Sequence, residues 1–126
     1  MTENEISSKI VGAALDVHRH LGPGLLESAY ETCLVYELKE KGLQVVQQLA
    51  QPVAYKDVKL NAGYRIDLLV ENKVIVEIKS IEALADIHMA QILTYLKLKD
   101  LKLGLLINFN EVLLKNGIRR VLNGYL

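Results

Sequence analysis

The stretch GYRIDLLVENKVIVEIKS, residues Gly63–Ser80, decides how this chain folds. It is apolar and extended in character, interrupted by Arg65, Asp67, Glu77 and Lys79. Side chains alternate along a strand. Tyr64, Ile66, Leu68 and Val70 therefore share one face of a first strand, and Arg65, Asp67 and Leu69 the other. In a second strand Val74, Val76 and Ile78 stand against Ile75, Glu77 and Lys79. A two-residue turn at Glu71–Asn72 pairs Asp67 with Val76 and mixes the two sets. A three-residue loop, Glu71–Asn72–Lys73, pairs Val70 with Val74, Asp67 with Glu77 and Arg65 with Lys79. One face is then wholly apolar and the other gathers the charges. A one-residue slip would turn the apolar set outward, so the pattern selects this register. Asn72 suits the positive-φ position of such a loop.

The register has a chemical consequence. It sets two carboxylates opposite each other with Cβ atoms roughly 5 Å apart, an unfavourable pairing of like charges. Lys79 lies on the same face about 7 Å along from Glu77, and Arg65 is near. A divalent cation between Asp67 and Glu77 compensates better, because Mg²⁺ favours one or two carboxylates, several waters and phosphate oxygens. The alternative is an ordinary solvated face carrying an acid-x-lysine triplet.

Around the hairpin the periodicity is clear. Ile6, Ile10, Ala13, Ala14, Val17 and Leu21 recur at helical spacing, and LGPG (Leu21–Gly24) stops that helix at Pro23. A second helix is expected over Leu25–Lys41, with Leu26, Tyr30, Cys33, Leu34 and Leu38 as its stripe and Gly42 as its stop. Leu43–Ala50 and Val53–Leu60 read as strands, with turns near Pro52 and Asn61–Gly63. A helix over Ala83–Lys99 carries apolar residues on more than one face (Leu84, Ile87, Met89, Ile92, Leu93, Leu96, Leu98), which predicts burial against the sheet and against another helix or subunit. Leu103–Phe109 is a continuous apolar run, typical of a buried strand, and Ile118–Leu122 adds an edge strand. The order predicts one α/β domain over residues 1–126 with a mixed sheet flanked by helices; the strand–helix–strand end implies a parallel pair and the earlier hairpins antiparallel ones.

The chain has 126 residues, 51% hydrophobic and 24% charged, enough for a core. Its 15 basic and 15 acidic residues cancel. This counts against a purely electrostatic nucleic-acid binder but not against an enzyme whose metal supplies local positive charge. No run approaches the ~20 apolar residues of a membrane span. MTENEISSKI lacks the pattern of a signal peptide, and Cys33 is the only cysteine; a cytoplasmic location is the expectation.

Two further motifs bear on function. GLLESAY, Gly24–Tyr30, reads G-x-x-E-x-x-Y, and HMAQILTYL, His88–Leu96, follows the hairpin. Together with Asp67 and the Glu77-x-Lys79 triplet, the chain from about His18 to Phe109 resembles the GxxExxY family, a branch of the PD-(D/E)XK nucleases. The resemblance implies a restriction-endonuclease-like core: helix, three-stranded meander, helix, strand. It implies a nuclease acting on DNA or RNA with Mg²⁺ or Mn²⁺. Asp67 matches the signature aspartate, and Glu77 and Lys79 match its (D/E)-x-K; Ile66 replaces the preceding proline, which is not a ligand position. Glu27 matches an acidic residue sent to the metal from the first core helix, and Gln91 a supporting helix glutamine. In that reading Asp67, Glu77 and the Ile78 carbonyl hold the metal, and Glu27 binds it through water or occupies a second metal position. Lys79 positions the attacking water and stabilises charge, or acts deprotonated; Gln91 orients a carboxylate or the nucleophile.

Other residues have open roles. His88 is either a structural hydrogen-bonding residue or a phosphate contact. Arg65 either binds phosphate or pairs with Asp67 or Glu77. Tyr95, on the same helix face as His88 and Gln91, is a half-buried tyrosine with its hydroxyl near the surface and a possible substrate contact. His18 and His20 point apart and are not a metal pair; His18 is placed to approach the LGPG turn and Glu27. Tyr30 packs the second helix on the sheet. Small nucleases of this kind often pair, so a homodimer is an expectation, and no membrane partner is. Two alternatives stand beside the nuclease: a module that keeps the fold and binds nucleic acid or protein without cutting, and a structural domain whose acidic face only meets solvent.

Overall fold

The computed structural model describes residues 1–61 and 63–126; part of the expected Asn61–Gly63 turn thus lies outside the described residues. Helices α1 (Glu3–Leu21) and α2 (Glu27–Glu40) come first. They are followed by β1 (Val45–Ala50), β2 (Val53–Tyr55), β3 (Val58–Leu60), β4 (Arg65–Val70) and β5 (Val74–Lys79). Then come α3 (Asp86–Lys99), β6 (Leu103–Asn108), a 3₁₀ turn at Leu114–Gly117 and β7 (Ile118–Leu122). Five strands form one sheet in the order β1-β4-β5-β6-β7. Only β5–β6 is parallel, joined through α3; β1–β4, β4–β5 and β6–β7 are antiparallel. This is the mixed, helix-flanked sheet that the hydrophobic pattern implies, with Ile118–Leu122 at one edge.

The helices cover both faces. Ile6, Ile10, Ala13, Ala14 and Val17 of α1 and Tyr30, Leu34 and Leu38 of α2 pack on Leu68, Val70, Val74, Val76, Ile78, Leu103, Leu105 and Ile107. Ile92, Tyr95 and Leu96 of α3 pack on Leu69, Ile75 and Leu106. Thr2 caps α1 in a reciprocal box with Glu5, satisfying two of the amides a helix start leaves unpaired. Gly104 lets α3 lie close to the sheet: a Cβ there would come 2.4 Å from Ile92 Cγ2.

The hairpin register is the expected one, with Val70↔Val74, Leu69↔Ile75 and Leu68↔Val76 in pairs. The turn takes positive φ at Glu71 as well as Asn72 (53° and 55°), and Lys73 N–H closes it on Val70 O at 3.0 Å. Two left-handed residues give the twist that tight antiparallel turns prefer.

Four expectations need correction. Val53–Leu60 is not one strand; Lys56, at φ 53°, turns it into the separate β2–β3 hairpin. Leu26 is not in the stripe of α2 but precedes its first turn and is 77% exposed. Ile66 does not pack with Leu68 and Val70; it joins Leu69 and Ile75 under α3, so strict alternation breaks at Asp67. The alternative of a wholly solvated charged face does not hold for Glu77, which is 5% exposed, while Asp67 and Lys79 are half-buried and Arg65 is exposed. Ile87 of α3 is 71% exposed and faces a groove shared with Val53 and Leu60 of the β2–β3 hairpin.

Candidate metal centre

The β4–β5 ladder ends at Leu68↔Val76, one step before Asp67 and Glu77. The two carboxyls enter the gap and take over the backbone bonds. Asp67 N–H donates to Glu77 Oε2 at 2.9 Å, and Ile78 N–H donates to Asp67 Oδ2 at 2.8 Å. Phe109 N–H donates to the Lys79 carbonyl at 2.9 Å, so the Lys79 peptide faces β6. The alternate peptide groups of Ile78 then face β4, where no Ile66 pair meets them. The Ile78 carbonyl thus opens on the gap that holds Asp67, while its side chain is buried under α1 and α2.

Glu77 is only 5% exposed. Burial pushes its carboxyl up from 4.5 to about 8, and the neighbouring Asp67 adds to the rise through its charge and a carboxyl–carboxyl contact; the Asp67 N–H and the Lys79 ammonium pull the other way. A carboxyl in this setting holds its proton at neutral pH unless a cation arrives. Each carboxyl has one oxygen on a backbone N–H. That leaves Asp67 Oδ1, which receives Gln48 Nε2 at 3.3 Å, and Glu77 Oε1. Two carboxylate oxygens and one backbone carbonyl are oxygen donors of the kind a small hard cation takes. The residues therefore fit a divalent cation with a preference for oxygen donors.

Lys79 is half-buried at the end of β5 and makes no ion pair among the described residues. Glu27 opens α2, and its Oε2 accepts Ser80 N–H at 3.4 Å, directly after Lys79. It is not gathered with Asp67 and Glu77: among the described residues no group of three or more His, Cys, Asp or Glu side chains converges on one point. Ser80 Oγ–H donates to Leu25 O at 2.6 Å. These bonds set the start of α2 against the end of β5.

Tyr30 builds that junction. Its hydroxyl donates to Gly22 O at 2.5 Å and accepts Leu25 N–H at 3.1 Å, and its ring stacks on Phe109 at 4.5 Å between centroids. The tyrosine of G-x-x-E-x-x-Y thus folds the turn that aims Glu27. Tyr30→Phe is expected to cost about 1–2 kcal/mol, from two part-buried backbone groups left unpaired. Urea unfolding with an unchanged m-value checks it.

Gln91 is exposed and makes no hydrogen bond among the described residues. It lines a groove of about 620 Å³ between α3 and the β2–β3 hairpin, together with Tyr64, His88 and Tyr95. Tyr95 is 4% exposed rather than half-buried. Its phenol is pushed up by burial and then by the charges of Glu77, Tyr64 and Asp67, which places it in electrostatic reach of the carboxyl pair. His88 Nδ1 accepts Ala85 N–H at 2.9 Å, closing the first turn of α3 and leaving Nε2 free of that role. Arg65 is exposed; it pairs with neither acid but donates to Gln48 O at 3.4 Å. His18 Nε2–H donates to Glu111 O at 2.7 Å, and does not reach Glu27; His20 bonds Asp16 O.

Three residues of the site are absent from the sequence reading. Asn108, fully buried, accepts Ile81 and Asn110 N–H on Oδ1 and donates to Ile81 O. It thereby clamps the loop that leaves Lys79. Gln48 and Glu31 form a bridge to Asp67: Gln48 Nε2 also donates to Glu31 Oε1 at 2.9 Å. A polar residue in the apolar run LGLLINF was the one available signal for Asn108. Gln48 sits in a glutamine pair that composition does not distinguish from a solvated strand.

No helix among the described residues is long and apolar enough to cross a membrane. No curated protein and no solved structure matches the chain. The family model described as the PD-(D/E)XK nuclease superfamily matches residues 4–121, a span that includes every element from α1 to β7 apart from their outermost residues. The matched span takes in the whole β4–β5 hairpin, with Asp67 and the Glu77-x-Lys79 triplet at its open end, and the chain belongs to the PD-(D/E)XK nuclease superfamily.

Proposed function

We propose that the protein is a divalent-metal-dependent nuclease of the GxxExxY branch, a single domain that hydrolyses phosphodiester bonds of DNA or RNA. The observation that carries this reading is the pairing of buried Glu77 with half-buried Asp67, interlocked with the backbone where two strands part, with Lys79 next along β5 on the same strand end. Asp67, Glu77 and the Ile78 carbonyl hold Mg²⁺ or Mn²⁺. When bound, such an ion polarises a phosphate oxygen and lowers the pKa of its water. The Lys79 ammonium positions the attacking water and stabilises charge growing on the phosphate oxygens. Glu27, whose carboxylate accepts the Ser80 N–H, binds the ion through water or holds a second one. Gln91 and His88 Nε2 line the groove beside Tyr95, and exposed Arg65 meets a flanking phosphate.

The test is incubation of the purified protein with single- and double-stranded DNA and RNA. Cleavage of at least one substrate is expected in Mg²⁺ or Mn²⁺, with none in EDTA. Capture of nucleic acid with no cleavage under either metal assigns the fold to a non-cutting module instead.

A further inference from the structure

Gln48 has a backbone conformation that its strand does not account for. It lies inside β1 at φ 49°, in a region few non-glycine residues enter. The Gln47↔Leu68 and Leu49↔Ile66 pairs form on either side, but the intervening Gln48↔Asp67 pair does not. Glu71 N–H donates to Gln44 O at 2.9 Å. Stepping two residues at a time from that pair makes Gln48 and Asp67 a position that should exchange both backbone bonds. The left-handed turn prevents this. It swings the Gln48 carbonyl towards Arg65 Nη1 at 3.4 Å, and the Asp67 N–H is left to Glu77 Oε2 at 2.9 Å. The side chain is used as well: Nε2 donates to Asp67 Oδ1 and to Glu31 Oε1, at 3.3 and 2.9 Å. Glu31 lies one helical turn beyond Glu27 on the same face of α2.

We propose that Gln48 is a positioning residue for the metal centre: its backbone turn releases the Asp67 N–H to hold Glu77, and its amide ties the Asp67 carboxyl to α2. A glycine would adopt this φ with less strain. Strain held at one residue beside a reactive pair, with both hydrogens of its amide directed to carboxylates, is the pattern of a site fixed in advance. The inference rests on the reading of Asp67 and Glu77 as the cation-holding pair.

Two variants separate the backbone from the amide. Gln48→Val is β-branched, and positive φ is disfavoured for it, so a regular β1–β4 rung is restored. Gln48→Leu keeps the side-chain length and removes the donors. Two readouts are taken: the ¹⁵N–¹H shift and exchange protection of the Asp67 amide in metal-free protein, and Mn²⁺ affinity by electron paramagnetic resonance. In Gln48→Val the Asp67 amide is expected to leave its wild-type position. In both variants Mn²⁺ affinity is expected to fall about ten- to a hundredfold, with nuclease activity recovered at excess Mn²⁺, which a merely structural defect would not allow. Should Gln48→Val fail to fold, Gln48→Leu still decides through Mn²⁺ affinity. A folded Gln48→Leu with wild-type affinity overturns the role of the amide, and a folded Gln48→Val with a wild-type Asp67 amide overturns the role of the backbone. Wild-type protein that binds no Mn²⁺ removes the metal reading itself, and the Asp67 amide in Gln48→Val then still shows whether Gln48 sets the carboxyl pair.

Discussion

Lys79→Ala is expected to lower phosphodiester hydrolysis by about 10²–10⁴-fold while the protein stays folded. Lys79 stands at the end of β5, half-buried and without an ion-pair partner among the described residues, so its removal breaks no bridge and opens no core cavity. Surface changes of this kind usually alter stability by less than about 0.5 kcal/mol. The loss should therefore appear in kcat, with KM little changed, as for an interaction made chiefly in the transition state. Lys79→Arg keeps the charge but replaces a compact ammonium with a planar fork and is expected to recover only part of the rate. Circular dichroism and single-turnover kinetics check the two halves of the claim. A folded Lys79→Ala protein that cuts at the wild-type rate would remove the lysine from the chemistry.

The second large effect concerns stability and pH. The folded Glu77 carboxyl is pushed up from 4.5 to about 8, by burial first and by Asp67 second. Between these values the folded chain holds a proton that the unfolded chain has released, so unfolding becomes easier as pH rises. The stabilisation is complete below the unfolded value and is gone above the folded one. In EDTA, wild type is expected to lose on the order of 3–5 kcal/mol relative to Glu77→Gln between pH 4.5 and 8. Glu77→Gln keeps the size of the side chain and cannot ionise, so the difference between the two proteins isolates this one group. Mg²⁺ should raise the wild-type melting temperature more at pH 8 than at pH 5.5, because binding displaces the proton. Parallel denaturation curves for wild type and Glu77→Gln across this range would contradict the buried, protonated carboxyl.

Much of this was legible in the residues. Alternation in Gly63–Ser80 admits one register, and the Val70↔Val74, Leu69↔Ile75 and Leu68↔Val76 pairs follow it. The continuous apolar run Leu103–Phe109 marks the strand that is buried on both faces. Three features were not legible. Lys56–Asp57 offers no glycine to announce the turn that splits Val53–Leu60, because a single lysine takes the positive φ. The switch of Ile66 to the α3 side cannot be seen in a period of two. The amide of Tyr30-bound Leu25 and the clamp at Asn108 join residues far apart in the chain or across a turn, which spacing alone does not reveal.

The sequence by itself determined which residues stand across from one another in the hairpin, since a slip would expose a whole apolar face to water. It thereby determined that Asp67 and Glu77 meet. Only the tertiary structure decided what that meeting is worth. Packing of Ile92, Tyr95 and Leu96 of α3 over Ile75, beside Glu77, accompanies the removal of Glu77 from water, and that burial, more than its charged neighbour, lifts its pKa. The left-handed Gln48 and the parting of β4 from β5 turn a repulsive pair into a hydrogen-bonded one. Alternation specifies which way a side chain points; what lies in that direction depends on elements packed there from elsewhere in the chain.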